Sequence, residues 1–106
     1  MLDMDTAVEA VEEYSAALRR SPNFENLYRY KQAVRFVLAR LVKAVYSVED
    51  KVSYDVQGRR RLYVMVEQVD RRLEELTRLF LQKEVPSLEL ARRLDEIRGM
   101  VLDLYT

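Results

Sequence analysis

Residues 62–80, LYVMVEQVDRRLEELTRLF, carry the clearest structural signal in the sequence. Apolar side chains recur along this stretch at spacings of four, three, four, three and four residues: Leu62, Val66, Val69, Leu73, Leu76 and Phe80. This spacing places one apolar seam along a helix and leaves polar residues on the opposite face, as in coiled coils and helical bundles. The stretch therefore predicts a long amphipathic helix that must bury its seam against other helices.

Three further segments carry the same helical periodicity. Apolar seams of this kind run through residues 4–18, 27–44 and 90–104. Because the chain contains only two glycines and two prolines, few positions can interrupt regular structure. We therefore predict four helices.

The sequence also indicates where the first two helices begin and end. Thr6 and Glu9 have the spacing of a capping box at the start of the first helix. Ser21 and Pro22 are expected to end that helix and to serve as the N-cap and first-turn proline of the second. The second helix is expected to end near Tyr46.

The segment between the second and third helices, residues 47–58, loses the periodicity and is predicted to form an ordered loop. Four helices joined by two short links and one longer loop predict an all-α antiparallel helical bundle with a long central helix pair. A chain of 106 residues is long enough to bury a core, so we expect one domain over residues 1–106. Alternatively, the second and third helices form a hairpin that needs a second copy of the chain to cover its seam, and the sequence does not separate these arrangements.

The residue composition excludes much of the chemistry that proteins perform. The chain contains no cysteine, histidine or tryptophan. Disulfide scaffolds, zinc fingers, cysteine nucleophiles and histidine general bases are therefore excluded. The Glu-x-x-His motif of di-iron bundles also requires histidine. We expect a non-enzymatic protein with no metal or other cofactor.

Charge is balanced overall but unevenly distributed. The chain has 18 basic and 18 acidic residues. The first 17 residues carry five acids and no base, whereas residues 18–46 carry seven bases and one acid, Glu25. The beginning of the sequence lacks the pattern of a secretory signal, and no apolar run approaches the roughly 18 residues that a membrane span needs. We expect a cytoplasmic protein without a membrane partner.

Three stretches of the sequence resemble a known family of small bacterial proteins. The loop Tyr54-Asp55-Val56-Gln57-Gly58-Arg59 leads into a helix, residues 69–77 read VDRRLEELT, and residues 96–105 end in an apolar run followed by Leu-Tyr. From residue 23 onward the chain is similar in these features to the YaaR-like family. The resemblance implies an all-helical cytoplasmic protein and assigns no activity.

The predicted start of the third helix carries an unusual basic run, Gly58-Arg59-Arg60-Arg61. Three arginines there oppose the helix dipole, and a phosphate or an acidic partner on the free N–H groups would resolve the conflict. Tyr54 and Asp55 are candidates for ordering the loop around such a site. Alternatively the helix begins earlier, at an Asp55 cap. A third possibility is that acids of the loop neutralise the arginines: Glu49, Asp50 and Asp55.

The back of the second helix predicts a basic stripe with an aromatic residue at its middle. Helical geometry places five side chains within roughly 80° of one another, opposite the apolar seam: Arg29, Gln32, Phe36, Arg40 and Lys43. Tyr28 and Tyr46 lie at the edge of this stripe, near Arg35. Such a mixture suits single-stranded nucleic acid or an acidic partner helix. Alternatively, acids of the first helix pack beside the stripe and pair with it: Glu9, Glu12 and Glu13.

Gly99 is the third candidate feature. A glycine inside a helix costs roughly 1 kcal/mol relative to alanine, so close packing against another backbone is one explanation. The neighbour would be the loop after the second helix or a second subunit. An exposed Leu102 would favour the second subunit.

These features together predict a binding protein. The favoured hypothesis is an adaptor or scaffold module that binds a protein partner of unknown identity and self-associates. Its contacts would use the basic stripe of the second helix and residues 54–61. The alternative is a protein that binds nucleic acid or a phosphorylated ligand through Arg59, Arg60 and Arg61 together with the stripe. The balanced net charge counts against nucleic acid.

Overall fold

The computed structural model describes residues 3–46 and 56–105, and it contains four α-helices within these ranges. In chain order they are α1 (Met4–Arg20), α2 (Phe24–Tyr46), α3 (Val56–Leu79) and α4 (Ser87–Tyr105). The all-α prediction is confirmed, and α2 ends at the predicted residue. The prediction of a loop up to residue 58 is wrong at its end, because α3 already begins at Val56.

The helices form an elongated antiparallel bundle. α1 packs mainly on α2 and α3 mainly on α4, while α2 also contacts α3, and α4 also contacts α1 and α2. α2 and α3 are the longest helices, with 23 and 24 residues, and form the predicted central pair. The molecule measures 51 × 27 × 18 Å, so its thinnest direction holds two layers of helices.

The predicted seams supply most of the core. Its buried side chains are Ala7, Val11, Leu18, Leu27, Tyr30, Val34, Val37, Leu38, Val69, Leu73, Leu76, Leu79, Phe80, Leu90, Leu94, Ile97 and Val101. The ends of the seams near the connection between α2 and α3 are less covered. Leu41, Leu62 and Val66 are half-buried there, and Ala44 is exposed. The core is therefore well covered from the middle of the bundle to the end where α2 begins and α3 ends, and less covered toward the other end.

The caps of α1 and α2 differ from those predicted. Asp3 is the N-cap of α1, and its carboxylate accepts a hydrogen bond from the Thr6 backbone N–H at 2.8 Å. The predicted capping box of Thr6 and Glu9 is therefore wrong. Asn23 takes the position predicted for Ser21, because its side-chain oxygen accepts from the Asn26 backbone N–H at 2.8 Å. Ser21 is the C-cap of α1, so the prediction that it ends that helix is confirmed.

This cap makes a stability prediction. Replacing Asn23 by alanine leaves the Asn26 N–H without its acceptor and should lower the free energy of unfolding by about 1 kcal/mol. Urea unfolding followed by circular dichroism would measure the loss. Asn23→Asp keeps an acceptor and should retain most of the stability. Equal losses in the two variants would contradict this role for the side chain.

Polar contacts join the central pair on its surface. The Arg35 guanidinium lies 3.3 Å from the Asp70 carboxylate and 3.1 Å from that of Glu74. Lys31 Nζ donates to Thr77 Oγ1 at 2.8 Å. These contacts join residues 31 and 35 of α2 to residues 77, 74 and 70 of α3, the order expected for antiparallel helices. Across the described residues, no helix combines the length and the apolar character that a membrane crossing requires.

Candidate functional site

The predicted stripe lies on the outer face of α2, and Phe36 is exposed there. The Arg40 guanidinium carbon lies 5.8 Å from the centre of the Phe36 ring, within the range of a cation–π contact. Arg29 lies about two turns before Phe36 and pairs with Glu25 at 2.7 Å. The structure thus brings the aromatic centre of the stripe together with one cation, while a second cation is held within its own helix.

A groove runs between this face and α1. Ala7, Ala10 and Ala33 line it, and such small side chains let two helices approach closely and leave a shallow floor. Three exposed aromatic residues also line it, namely Tyr14, Tyr28 and Phe36, with exposures of 40%, 64% and 42%. With a volume of about 360 Å³, this feature is called the aromatic groove, and its full lining is Ala7, Ala10, Tyr14, Tyr28, Arg29, Gln32, Ala33 and Phe36.

Two predicted members of the basic group face elsewhere. Arg35 points to α3, where it contacts Asp70 and Glu74. Lys43 lines a different groove, between α2 and α3. The sequence pattern grouped these cations by helical angle alone, and the packing of α1 and α3 on opposite sides of α2 separates them.

The acids of α1 pair mostly away from the stripe. Glu12 contacts Arg98 of α4 at 3.3 Å. Within the described residues, neither Glu9 nor Glu13 forms an ion pair with α2. The hydrogen bonds from Thr6 and, to a lesser extent, the positive charge of Arg40 lower the pKa of the Asp3 carboxyl below its usual value. The alternative in which Glu9, Glu12 and Glu13 neutralise the stripe is therefore not what this part of the chain forms.

The arginine run lies inside α3. Because the helix begins at Val56, Arg59 is its fourth residue, and the earlier start is confirmed. The Asp55 cap that the alternative assigns to this start lies outside the described residues. Arg60 and Arg61 are exposed, and Arg59 is half-buried. The loop residues invoked with them fall outside the described residues: Glu49, Asp50, Tyr54 and Asp55. The anion site at this end stays a prediction, and no contact joins Arg60 or Arg61 to the stripe of α2 in the described ranges.

Gly99 lies on the exposed side of α4. A methyl group built on it would meet no atom within 4 Å, so the expected close approach of another backbone is not found among the described residues. Leu102 is half-buried rather than exposed. The loop that was one proposed neighbour of Gly99 lies outside the described ranges.

Sequence reasoning missed a second concave surface, between α1, α2 and α4. This pocket of about 420 Å³ is lined by Ser15, Ala16 and the buried Tyr30, among others. Burial raises the pKa of the Tyr30 phenol well above its usual value. Two ion pairs lie at the pocket, Arg19–Asp95 at 3.1 Å and Arg98–Glu12. The apolar spacing places Tyr30 in the predicted seam of residues 27–44. The space beside its side chain appears only when three helices pack together.

A carboxylate on α4 makes a pKa prediction. The Glu89 carboxylate accepts from Arg92 Nη2 at 2.7 Å and from Arg93 Nε at 2.8 Å, and these bonds hold its pKa below the usual value. Because the pKa of Glu89 is lower in the folded chain than in the unfolded chain, its ionised carboxylate stabilises the fold above the unfolded-state pKa. This contribution is lost as the pH falls through the pKa of the folded chain. Replacing Arg92 by alanine should raise the Glu89 pKa measured by carbon-detected NMR, whereas Arg78→Ala should not. An unchanged Glu89 pKa in Arg92→Ala would contradict the assignment.

Comparison with known proteins places this architecture in a family. Residues 2–105 match the family described as "Protein of unknown function (DUF327)". The chain is 32% identical to the uncharacterized protein YaaR of Bacillus subtilis over 96 residues, a match that covers 91% of this chain and 66% of that relative. The chain thus spans slightly less than two-thirds of YaaR.

Solved structures share the fold. A DUF327 protein from Thermotoga maritima superposes with a TM-score of 0.82 at 36% identity, covering 96% of this chain and 83% of the other. An uncharacterized protein from Bacillus halodurans has a TM-score of 0.80 at 23% identity, with 97% and 84% covered. The designed granulopoietic protein Moevan superposes with a TM-score of 0.76 at 24% identity, and the match covers all of this chain and 97% of Moevan. This similarity shows the fold alone. With the family match over nearly its whole length, the chain belongs to the DUF327 family, as its resemblance to YaaR-like proteins implied.

Proposed function

We propose that the protein is a non-enzymatic helical interaction module that binds a partner protein through the aromatic groove. The partner segment is an amphipathic helix whose apolar face fills the groove and whose acidic side chains meet the cations beside it. The observation that carries the proposal is the joint exposure of Tyr14, Tyr28 and Phe36 over a floor of alanines.

Energetic considerations support a protein partner. Aromatic and arginine side chains are enriched among the residues that dominate the binding free energy of protein interfaces. Aromatic rings also bury a large area at a low cost in conformational entropy. Tyr28 and Phe36 lie on one helix and Tyr14 on its neighbour, so one inserted helix can contact all three. A furrow between two helices also matches the helix-in-groove mode, in which residues one turn apart act as anchors.

The charges beside the groove favour an acidic partner. Arg29 lines the groove and Arg40 lies against Phe36. Arg29 is already paired with Glu25, but that pair is exposed on both sides and can exchange partners at low cost. Since Glu9 and Glu13 do not pair with α2 in the described part of the chain, carboxylates of a partner can approach Arg40.

Site-directed photo-crosslinking in cells tests the proposal. A photoreactive amino acid replaces Phe36, and the matched control carries it at Leu88, an exposed residue in the first turn of α4. We expect a protein adduct at Phe36 that is weak or absent at Leu88. We also propose that this interaction takes place in the cytoplasm, and cell fractionation of the adduct tests that location. Equal adducts at both positions, or none at Phe36, would count against a groove-bound partner.

A second candidate function is binding of nucleic acid or another phosphorylated ligand at the start of α3. One observation favours it: the first turn of α3 contains no acid, and Arg60 and Arg61 are exposed just after it. Fluorescence anisotropy with labelled single-stranded and duplex DNA at two salt concentrations separates the candidates. Phosphate contacts give a steep salt dependence, with a slope near 0.9 per phosphate for duplex DNA. Binding that disappears when Arg59, Arg60 and Arg61 are all changed to alanine would favour this candidate over the groove.

A further inference from the structure

A second groove lies between α2 and α3, on the other side of α2 from the aromatic groove. It has a volume of about 480 Å³ and is called the central groove. Its lining is mostly apolar at the bottom and charged at the rims: Arg35, Leu38, Ala39, Val42, Lys43, Val66, Glu67 and Asp70. It sits toward the end of the bundle where Leu41 and Leu62 are only half-buried, so it continues the incompletely covered part of the seam.

The two rims carry opposite charges. The α2 rim contributes Arg35 and Lys43, and the α3 rim contributes Glu67 and Asp70. Arg35 and Asp70 are 3.3 Å apart and satisfy each other within the chain. Among the described residues, Lys43 and Glu67 form no ion pair. One cation and one carboxylate thus lie on opposite rims without a partner in this part of the chain.

We propose that a second copy of this chain docks on the central groove and forms a two-fold symmetric dimer. With the two-fold axis parallel to the helices, α2 of each copy lies opposite α3 of the other copy at the same level along the bundle. Lys43 of one copy then faces Glu67 of the other, twice per dimer. The four helices at the interface alternate in direction, as they do in antiparallel four-helix bundles.

The apolar residues agree with this arrangement. Val42 lines the groove on the α2 side and Val66 on the α3 side. The two-fold symmetry therefore places Val42 of each copy opposite Val66 of the other copy. Tyr63 is 60% exposed and lies one helical turn before Val66 and Glu67, on the same face of α3. An exposed tyrosine beside an apolar groove is the kind of side chain that anchors an interface. The opposite charges of the rims favour a copy of the same chain, because each copy presents both signs in the complementary order.

Charge reversal tests the dimer in the full chain. Analytical ultracentrifugation measures dimerisation of the wild type, Lys43→Glu and Glu67→Lys. We expect each single reversal to weaken dimerisation about tenfold, because the disrupted pair occurs twice in the dimer. An equimolar mixture of the two single variants should dimerise like the wild type, since both interface pairs are then opposite in charge. An intrachain pair could not produce this rescue. Lys83→Glu and Glu84→Lys, exposed changes in the link between α3 and α4, are matched controls and should have no effect.

A second pair of variants separates the interface from folding. Ala39 is exposed and lines the groove, so Ala39→Glu should block docking and leave the helix intact. Ala44→Glu makes the same change at an exposed α2 position outside the groove and should leave dimerisation unchanged. Phe36→Ala should also leave it unchanged, which keeps this test independent of partner binding in the aromatic groove.

Two outcomes would overturn the dimer. One is a wild-type chain that stays monomeric up to about 100 μM. The other is a dimer that the charge reversals and Ala39→Glu leave unaffected, which would put the contact elsewhere on the surface.

Discussion

Replacing Leu73 by alanine is expected to lower the free energy of unfolding by about 3 kcal/mol, because the substitution leaves a cavity in a fully packed site. Leu73 lies in the second half of α3 with none of its surface exposed. For a domain of this size such a loss corresponds to a fall in Tm on the order of 15 °C. Urea unfolding, with circular dichroism at 222 nm as the signal, measures the free energy directly.

The matched control for this substitution is Leu81→Ala. Leu81 is 71% exposed, just beyond the end of α3, so the same truncation removes little buried surface there. We expect a change of less than about 0.5 kcal/mol. Similar losses at Leu73 and Leu81 would mean that α3 does not bury its seam as described.

Replacing Phe36 by alanine is expected to weaken partner binding about 30-fold, the effect of losing roughly 2 kcal/mol from an aromatic anchor at the centre of an interface. The ring lies in the aromatic groove and also holds Arg40 at 5.8 Å, so its removal takes away both an apolar contact and the position of a cation. Once crosslinking has identified the partner, isothermal titration calorimetry with the purified, uncrosslinked partner would measure the affinity. The fold should be unaffected, because the ring is 42% exposed.

The same titration supplies its own controls. Gln82→Ala changes an exposed residue in the link between α3 and α4, outside the groove, and should leave the affinity unchanged. Tyr28→Ala should weaken binding as Phe36→Ala does, since both rings line one groove. An affinity that tolerates both aromatic truncations would exclude the groove as the binding surface.

The hydrophobic spacing alone was enough to predict the helices and most of the core. Val34, Val69, Leu73 and Ile97 are buried where the seams place them. Other buried residues fall outside the predicted seams, including Leu38. A single apolar seam accounts for contact with one neighbouring helix. Because α2 contacts α1, α3 and α4, it buries a wider part of its circumference than one seam covers.

Helix ends were harder to predict because tertiary packing decides among several local signals. Thr6 and Glu9 form a valid capping pattern, but Met4 packs on the core and extends α1 by a turn. Asp3 then takes the cap position. Asn23 similarly takes the cap of α2, although Ser21 and the proline after it fit the same motif.

The candidate site could be predicted only in part. The stripe pattern identified Phe36, Arg40 and Tyr28 as a mixed aromatic and basic face. The groove beside them depends on how closely α1 approaches, which alanines at Ala7, Ala10 and Ala33 allow. Two of these alanines are three residues apart on α1, a signal of a close helix contact that the sequence contains. The sequence does not predict that Arg35 turns away from the basic stripe. Its direction depends on two carboxylates of α3, which are 35 and 39 residues away along the chain.

Partner binding in the aromatic groove is tested most directly by NMR. The backbone amide chemical shifts of the full chain are compared with and without the partner that crosslinking identifies. We predict shifts concentrated at the residues that line the groove on α1 and α2, among them Ala10, Tyr14, Gln32 and Phe36. The amides of α4 should be nearly unchanged. Shifts confined to α3 and α4, with the groove residues unmoved, would contradict the account.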